Sequence, residues 1–242
     1  MQYKKILLDI DGTILDKQEK LSDSLAKALE KIKDNTSISF CTGRTPDFTL
    51  DLAQRLNLTT NHIVDDGSRV IDANGKELWA IILPQEVINY YLNLAALNGF
   101  KIAATVEGKM KLVLTKQDQH ISRLFPYHLT KKQVDILTSH IFSSEYEVKV
   151  VWSDEKKGYN VSVTHINGNK KHGIQYLLDH EGIKKEDVIG VGDGINDIPL
   201  FEEVGFKVAM ADAPYELKTK ADLVVSSVEK DGVVEILRKL SL

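Results

Sequence analysis

Two carboxylates stand directly after the first apolar segment of the chain. Residues 5–8 are Lys-Ile-Leu-Leu, and Asp-Ile-Asp-Gly-Thr follows at residues 9–13. A short apolar run that ends near a glycine is typical of a buried parallel strand, and open α/β sheets bind ligands at the carboxyl ends of such strands. Alternation along an extended backbone places Asp9 and Asp11 on the same side. Because paired carboxylates repel, we expect a cation, a shared proton or separate roles as nucleophile and acid/base; the alternative is an ordinary acidic turn.

A second acidic cluster follows a second apolar strand. Residues 188–191 are Val-Ile-Gly-Val, and Gly-Asp-Gly-Ile-Asn-Asp follows at residues 192–197. The spacing of four brings Asp193 and Asp197 toward one point near the start of a helix. Carboxylate oxygens without thiols are the ligands that Mg²⁺ prefers. Either cluster alone could be a capped turn, but two clusters at two strand ends favour one shared site.

Candidate positive groups lie at two predicted helix starts. Thr42, Gly43 and Arg44 follow the apolar strand 37–41, and their hydroxyl and backbone N–H groups could bind a phosphate oxygen; the alternative is a capped turn. Lys170 stands at the start of another predicted helix. Taken alone, a single lysine there is predicted to be solvated.

Composition limits the classes of protein that fit. The chain has 242 residues, 43% hydrophobic content and a net charge of -4, which does not indicate a nucleic-acid or membrane-surface binder. No signal peptide or membrane-spanning segment is evident, so we expect a cytoplasmic protein. The single Cys41 excludes an internal disulfide framework, and Asp47 stands where a cysteine-phosphatase loop needs arginine. We expect Cys41 to be a buried strand residue.

The elements that must position these groups form two patterns. Residues 1–82 and 166–242 alternate strands with helices, which predicts an α/β, Rossmann-like core with a parallel sheet. Within this core we predict a helix capped by Ser22, a third strand at 62–65, a hairpin around Asn74 and Gly75, and a helix from 195 to 204. Residues 83–165 predict the order αββαββ, an antiparallel α+β domain inserted into that core. Its predicted strands are residues 101–106, 110–114, 146–152 and 159–164. Residues 154–158 are predicted to form the turn between the last two strands.

These motifs resemble the haloacid dehalogenase superfamily of phosphohydrolases. Four matches occur in the family's order, namely residues 9–13, residues 42–44, Lys170 and residues 192–197. The inserted domain is similar to the minimal cap of the Cof-like, type IIB branch, which includes sugar-phosphate and phosphoglycolate phosphatases. The resemblance covers the core and does not extend to the sequence of the cap.

The resemblance implies a Mg²⁺-dependent phosphatase. Asp9 would be the nucleophile that becomes an aspartyl phosphate, and Asp11 would be the acid and then the base. The implied Mg²⁺ ligands are the Asp9 carboxylate, the Asp11 backbone carbonyl, Asp193 and Asp197. The implied substrate-binding residues are Thr42, Gly43, Arg44, Lys170 and Asn196. The expected partner is a small phosphorylated metabolite, and the expected assembly is a monomer or homodimer.

Other functions of the same motifs stay open at this point. A phosphosugar mutase would need a second phosphate site in the cap, where Arg123 is the only arginine between residues 83 and 165. A non-enzymatic phospho-acceptor or regulatory protein would need only about half of this chain. Lys111, His120 and Arg123 are candidates for substrate selection, although exposed residues of an ordinary domain are the alternative.

Two positions depart from the family pattern. Asp66 and Asp212 stand where this branch often has asparagine. An ionised carboxylate cannot donate a hydrogen bond to a phosphate oxygen, whereas an amide can. Phosphate contacts at these two positions are therefore in doubt.

Overall fold

Thirteen strands and eight helices form the part of the chain that the computed structural model describes, residues 3–153 and 158–240. The strands are β1 (Lys5–Leu8), β2 (Ser37–Phe40), β3 (His62–Val64), β4 (Arg69–Ile71), β5 (Glu77–Ala80), β6 (Lys101–Val106), β7 (Lys109–Lys111), β8 (Arg123–Tyr127), β9 (Tyr146–Ser153), β10 (Gly158–His165), β11 (Val188–Gly192), β12 (Phe206–Met210) and β13 (Leu223–Val225). The helices are α1 (Asp23–Ile32), α2 (Pro46–Arg55), α3 (Gln85–Asn98), α4 (Lys131–Ser139), α5 (Lys170–Glu181), α6 (Ile198–Glu202), α7 (Tyr215–Lys218) and α8 (Gly232–Lys239).

The chain divides into two compact units. The larger unit comprises Met1–Trp79 and Lys170–Leu242, and the smaller one comprises Ala80–Asn169. The sequence placed these boundaries at residues 83 and 165, and the role of the smaller unit as a cap stays a prediction. The predicted fold class, a Rossmann-like parallel-sheet core with an α+β insertion, is confirmed.

A five-stranded parallel sheet in the order β13-β12-β11-β1-β2 organises the larger unit. Ile6 and Leu8 of β1 pack into the same apolar cluster as α1 and α8, while Leu7 packs into the cluster of α5 and α6. Helices therefore cover both faces of the sheet, which is why β1 is an uninterrupted buried run rather than an alternating one. Ser22 caps α1 as predicted, since its Oγ accepts a hydrogen bond from the Leu25 N–H.

The third predicted strand lies outside this parallel sheet. β3 pairs antiparallel with β4 in a separate three-stranded sheet, and a single parallel bridge from Cys41 to Ile63 joins β3 to the end of β2. The predicted hairpin around Asn74 and Gly75 is present, with Gly75 at φ 83°, a backbone conformation that favours glycine. The sequence predicted the strand and the turn but not the change of sheet.

The smaller unit has one strand more than predicted. Its sheet has the order β7-β6-β8-β10-β9, and the predicted order αββαββ is wrong because it lacks β8 in the centre of that sheet. The sequence did not predict this strand because it contains Pro126. Proline has no N–H group to donate to a neighbouring strand, so it usually indicates that a segment is not a central strand. In the structure Pro126 lies beyond Leu124 and Arg123, the residues of β8 that pair with β10. Of the predicted turn at residues 154–158, residues 154–157 lie outside the described residues.

The predicted helix from 195 to 204 is also shorter than expected. A 3₁₀ turn occupies Ile195–Asp197, and only then does α6 begin. No described helix is long and apolar enough to cross a membrane. Cys41 is buried as predicted, and burial raises the pKa of its thiol.

The buried side chain of Lys5 links β1 and β2 to the carboxyl-terminal end of α5. The Lys5 Nζ lies 2.8 Å from the Oγ atoms of both Ser37 and Ser39, and 2.9 Å from Oε2 of Glu181. The neighbouring His62 accepts a hydrogen bond at Nδ1 from the Phe40 N–H, so the neutral ring carries its proton on Nε2. These contacts fix α5, whose first residue is Lys170, against β1 and β2.

We expect His62 to make the fold sensitive to acid. Burial, together with the charge of Lys5, lowers the pKa of His62 to about 3, whereas the unfolded chain takes up this proton near pH 6.5. The free energy of unfolding should therefore fall as the pH drops below 6.5, by about 2 kcal/mol at pH 5. Urea titrations of the wild type and of His62→Leu would measure this difference, with the exposed His180→Leu as control. An equal pH dependence in wild type and His62→Leu would contradict the assignment.

Candidate active site

The two acids of the first motif leave β1 in different directions. Asp9 extends the strand, since its N–H donates to the Val191 carbonyl at 3.0 Å, and only 5% of Asp9 is exposed. Gly12 then turns the chain at φ 75°, and a Cβ at this position would lie 2.1 Å from Oδ2 of Asp193. Only glycine therefore lets the first motif approach the second one this closely.

The second motif folds around the carboxylate of Asp197. Its Oδ2 accepts hydrogen bonds from the backbone N–H groups of Asp193 and Gly194, each at 3.0 Å. A Cβ on Gly192 would lie 2.4 Å from the Asp197 carboxyl carbon, so this glycine too is required by close approach. Asp197 thus shapes the turn that carries Asp193.

Lys170 joins the two motifs. Its Nζ lies 2.6 Å from Oδ1 of Asp9 and 2.6 Å from Oδ1 of Asp197, and the residue is 2% exposed. The expectation of a solvated lysine, made for Lys170 alone, is wrong because α5 begins directly over the carboxyl ends of β1 and β11. A buried ammonium needs such partners, since an unpaired buried charge is strongly destabilising.

The site holds more negative than positive charge. Burial raises the pKa of Asp9 well above its usual range, and the Lys170 ammonium opposes that rise. Burial alone would lower the pKa of Lys170, but the carboxylates of Asp197 and Asp9 outweigh it and raise this pKa. Burial and the neighbouring Asp197 also raise the pKa of Asp193 to about 7. An additional cation would relieve this excess of carboxylates.

The donor set fits a hard cation. One carboxylate oxygen from each of Asp9, Asp193 and Asp197 lies within 4.8 Å of the other two. All are oxygen ligands, which suit Mg²⁺ and similar ions. Asp197 has the fewest lone pairs left for a cation, since its oxygens already accept hydrogen bonds from Lys170 and from two backbone N–H groups.

Asp11 is held apart from this group by Arg44. The Arg44 Nε lies 2.8 Å from Oδ2 of Asp11 and its Nη2 lies 2.5 Å from Oδ1, a two-pronged ion pair. The sequence assigned Arg44 to substrate, whereas in this structure its guanidinium contacts Asp11 and Glu19. Glu19 is a residue that the sequence did not single out, because its loop carries only the polar pattern of an ordinary turn.

The Thr42 turn has the features expected of an anion-binding loop. Thr42 is buried, and its Oγ1 accepts a hydrogen bond from the Arg44 N–H at 3.1 Å. Its hydroxyl proton is therefore directed elsewhere. Asp66 donates its backbone N–H to the Thr42 carbonyl, and its Oδ1 lies 2.6 Å from where a Cβ on Gly43 would stand. Asp66 therefore lies next to the Thr42 turn.

The remaining candidates lie farther out or in the smaller unit. Asn196 is exposed and folds back toward Gly194, while Asp212 is exposed after β12. In the smaller unit, Lys111 pairs with Asp118 at 2.6 Å, and Arg123 is 6% exposed in β8. His120 lies in the loop before β8 at φ 58°. The roles of these residues stay predictions.

Comparison with known proteins identifies the family. A family model described as haloacid dehalogenase-like hydrolase matches residues 6–149 and 111–237. A phosphoglycolate phosphatase from Methanothermobacter thermautotrophicus is 27% identical over 239 residues, which cover 98% of each chain. A 5-amino-6-(5-phospho-D-ribitylamino)uracil phosphatase from Bacillus subtilis is 25% identical over 98% of this chain and 96% of its own.

A solved structure agrees in fold. The sugar phosphatase of haloacid dehalogenase subclass IIB superposes with a TM-score of 0.80 at 22% identity, over 98% of this chain and 99% of that chain. The family match spans both units of the structure, and the first and last of the four motifs meet at Lys170. The chain therefore belongs to the haloacid dehalogenase-like hydrolases, as a phosphohydrolase of their Cof-like branch.

Proposed function

We propose that this protein is a Mg²⁺-dependent phosphatase that hydrolyses a small phosphorylated metabolite, of the sugar-phosphate or phosphoglycolate type, through an aspartyl phosphate on Asp9. The observation that carries the proposal is the buried contact of Lys170 with Asp9 and Asp197, at 2.6 Å each, beside a third carboxylate. The names of the archaeal and Bacillus relatives support a small phosphorylated metabolite as substrate.

Asp9 is suited to act as the nucleophile. Lys170 holds its Oδ1, which leaves Oδ2 to attack phosphorus in line. The new bond from Asp9 to phosphorus replaces the bond to the leaving oxygen, which splits a very slow hydrolysis into two easier steps. Asp11 donates its proton to the leaving oxygen in the first step. It then takes a proton from the water that cleaves the aspartyl phosphate.

The carboxylates of Asp9 and Asp193, with the backbone carbonyl of Asp11, are the proposed ligands of the ion, and Asp197 supplies at most one further lone pair. A bound Mg²⁺ would neutralise charge on the phosphoryl oxygens. Thr42, Gly43 and Lys170 would bind those oxygens through a hydroxyl, a backbone N–H and an ammonium group. Lys111, His120 and Arg123 are the proposed selectors of the leaving group. Asn196 is proposed as a further substrate contact, from the family pattern alone.

Replacement of the nucleophile gives the first test. Asp9→Asn should abolish phosphate release at every substrate concentration, because an amide can neither attack phosphorus nor balance the cation. Phosphate release from p-nitrophenyl phosphate with and without Mg²⁺ would measure the loss. The exposed Asp51→Asn in α2 is the control and should keep full activity. Turnover above a few per cent of wild type in Asp9→Asn would rule out the covalent mechanism.

Two adjacent lysines give a matched pair of variants. Lys170→Met should lower the free energy of unfolding by about 3–5 kcal/mol, because Asp9 and Asp197 would then stay buried without a counter-charge. Lys171 pairs at 3.3 Å with Glu202 at the surface, so Lys171→Met should change stability by less than about 1 kcal/mol. Urea denaturation would measure both variants. Added Mg²⁺ should restore part of the stability of Lys170→Met, and equal losses in the two variants would contradict the buried ion pair.

The acid beside the Thr42 loop gives the third test. Asp66→Asn should lower KM and leave the Mg²⁺ requirement unchanged, because it removes a negative charge near the proposed site of a dianionic substrate. Asp212→Asn, at the exposed position after β12, should have the smaller effect. Steady-state kinetics on one substrate would compare the two variants. An unchanged KM in both would place these carboxylates outside the reach of the phosphate.

A further inference from the structure

Arg44 is fixed on three sides. It forms the two-pronged ion pair with Asp11, and its Nη2 also lies 2.7 Å from Oε1 of Glu19. The guanidinium carbon lies 4.2 Å from the centroid of the Phe48 ring, so one face of the group stacks on this ring. A lone surface ion pair is weakly defined, but a fork with a second carboxylate and an aromatic support is a well-defined arrangement.

Glu19 reaches Arg44 from an unfavourable backbone conformation. Its φ is 57°, in the left-handed region where glycine or asparagine is the usual choice. Asp16 supports the turn, since its carbonyl accepts the Glu19 N–H and its Oδ1 accepts the N–H groups of Gln18 and Lys20, each at 2.9 Å. None of these contacts uses the Glu19 side chain. The turn itself would be better served by glycine, so the carboxylate must have another use.

The Arg44 contact determines where the Asp11 carboxylate lies. Among the described residues, the cluster that could hold a cation contains Asp9, Asp193 and Asp197 but not Asp11. A carboxyl group that exchanges protons with a leaving oxygen must not be spent as a metal ligand. The fork to Arg44 keeps Asp11 out of the cation cluster, because both of its oxygens are directed at the guanidinium; the carboxyl group must then leave the fork to reach the leaving oxygen.

We propose that Glu19 is a positioning residue of the reaction: by sharing Nη2 of Arg44 with Asp11, it keeps the guanidinium from being committed to Asp11 alone, so that the carboxyl group of Asp11 can turn from the fork to the leaving oxygen. The proposal rests on the function proposed above, in which Asp11 is the acid and base. Without Glu19, the guanidinium pairs with Asp11 alone, and the fork keeps both oxygens of Asp11 from the leaving oxygen.

The dependence on the leaving group tests this role. Phenyl phosphate and p-nitrophenyl phosphate have similar shapes, but p-nitrophenolate leaves readily without a proton whereas phenolate benefits from one. In Glu19→Gln, kcat/KM should fall about tenfold on phenyl phosphate and less than about twofold on p-nitrophenyl phosphate. Glu19→Gly, which relieves the backbone and removes the carboxylate, should behave in the same way. Glu30→Gln, which removes the exposed partner of Lys33 in α1, should match wild type on both substrates.

Each outcome decides between specific roles. A selective loss on phenyl phosphate in both Glu19 variants, with partial recovery in Glu19→Asp, would support positioning of the acid. Equal losses on both substrates would mean that Glu19 serves binding or folding, and no loss would mean that Glu19 does not weaken the hold of Arg44 on Asp11; either result overturns the proposal. Turnover by Asp9→Asn would instead overturn the proposed function, whatever the Glu19 variants do.

Discussion

The contact of one ammonium with two carboxylates is the constraint on which the rest of the larger unit depends. Asp9, Asp197 and Lys170 come from the ends of β1 and β11 and from the start of α5, so their meeting requires these three elements to be correctly placed at once. Buried charges are tolerated only when they are paired and hydrogen-bonded. The parallel sheet, the turns at Gly12 and Gly192 and the start of α5 therefore hold together three buried charges that would be destabilising if they were unpaired.

Two residues of the site have most of their hydrogen bonds committed to other residues. Asp197 has most of its hydrogen-bonding capacity committed to Lys170 and to its own turn, and Arg44 is committed to Asp11 and Glu19. Such contacts fix the orientation of the groups proposed to react, and an active site needs orientation to within a fraction of an ångström. The acids of this site thus differ in role according to their neighbours, although their chemistry is the same.

The sequence predicted what depends on local pattern and missed what depends on distant contacts. The acids at the ends of β1 and β11 were predicted because each follows an apolar strand directly. The local pattern around Lys170 predicted a solvated lysine, and only the family resemblance placed it in the site, since nothing beside it in the chain shows that α5 begins over two carboxylates. The strand around Pro126 was missed because proline argues locally against a strand, and only the pairing in the folded sheet makes it acceptable. The ion pair of Arg44 with Asp11 spans a separation along the chain that no local pattern reports.

The buried position of Cys41 bears on how readily peroxide could oxidise this protein. Thiol oxidation proceeds through the thiolate, and burial raises the pKa of this thiol while closing it to solvent. Phosphatases that rely on a reactive cysteine lose activity when peroxide oxidises that cysteine. The nucleophile proposed for this protein is a carboxylate, which has no such lesion, and the single thiol of this chain is enclosed at the end of β2. The proposed site of phosphate release is therefore built from groups that peroxide leaves intact.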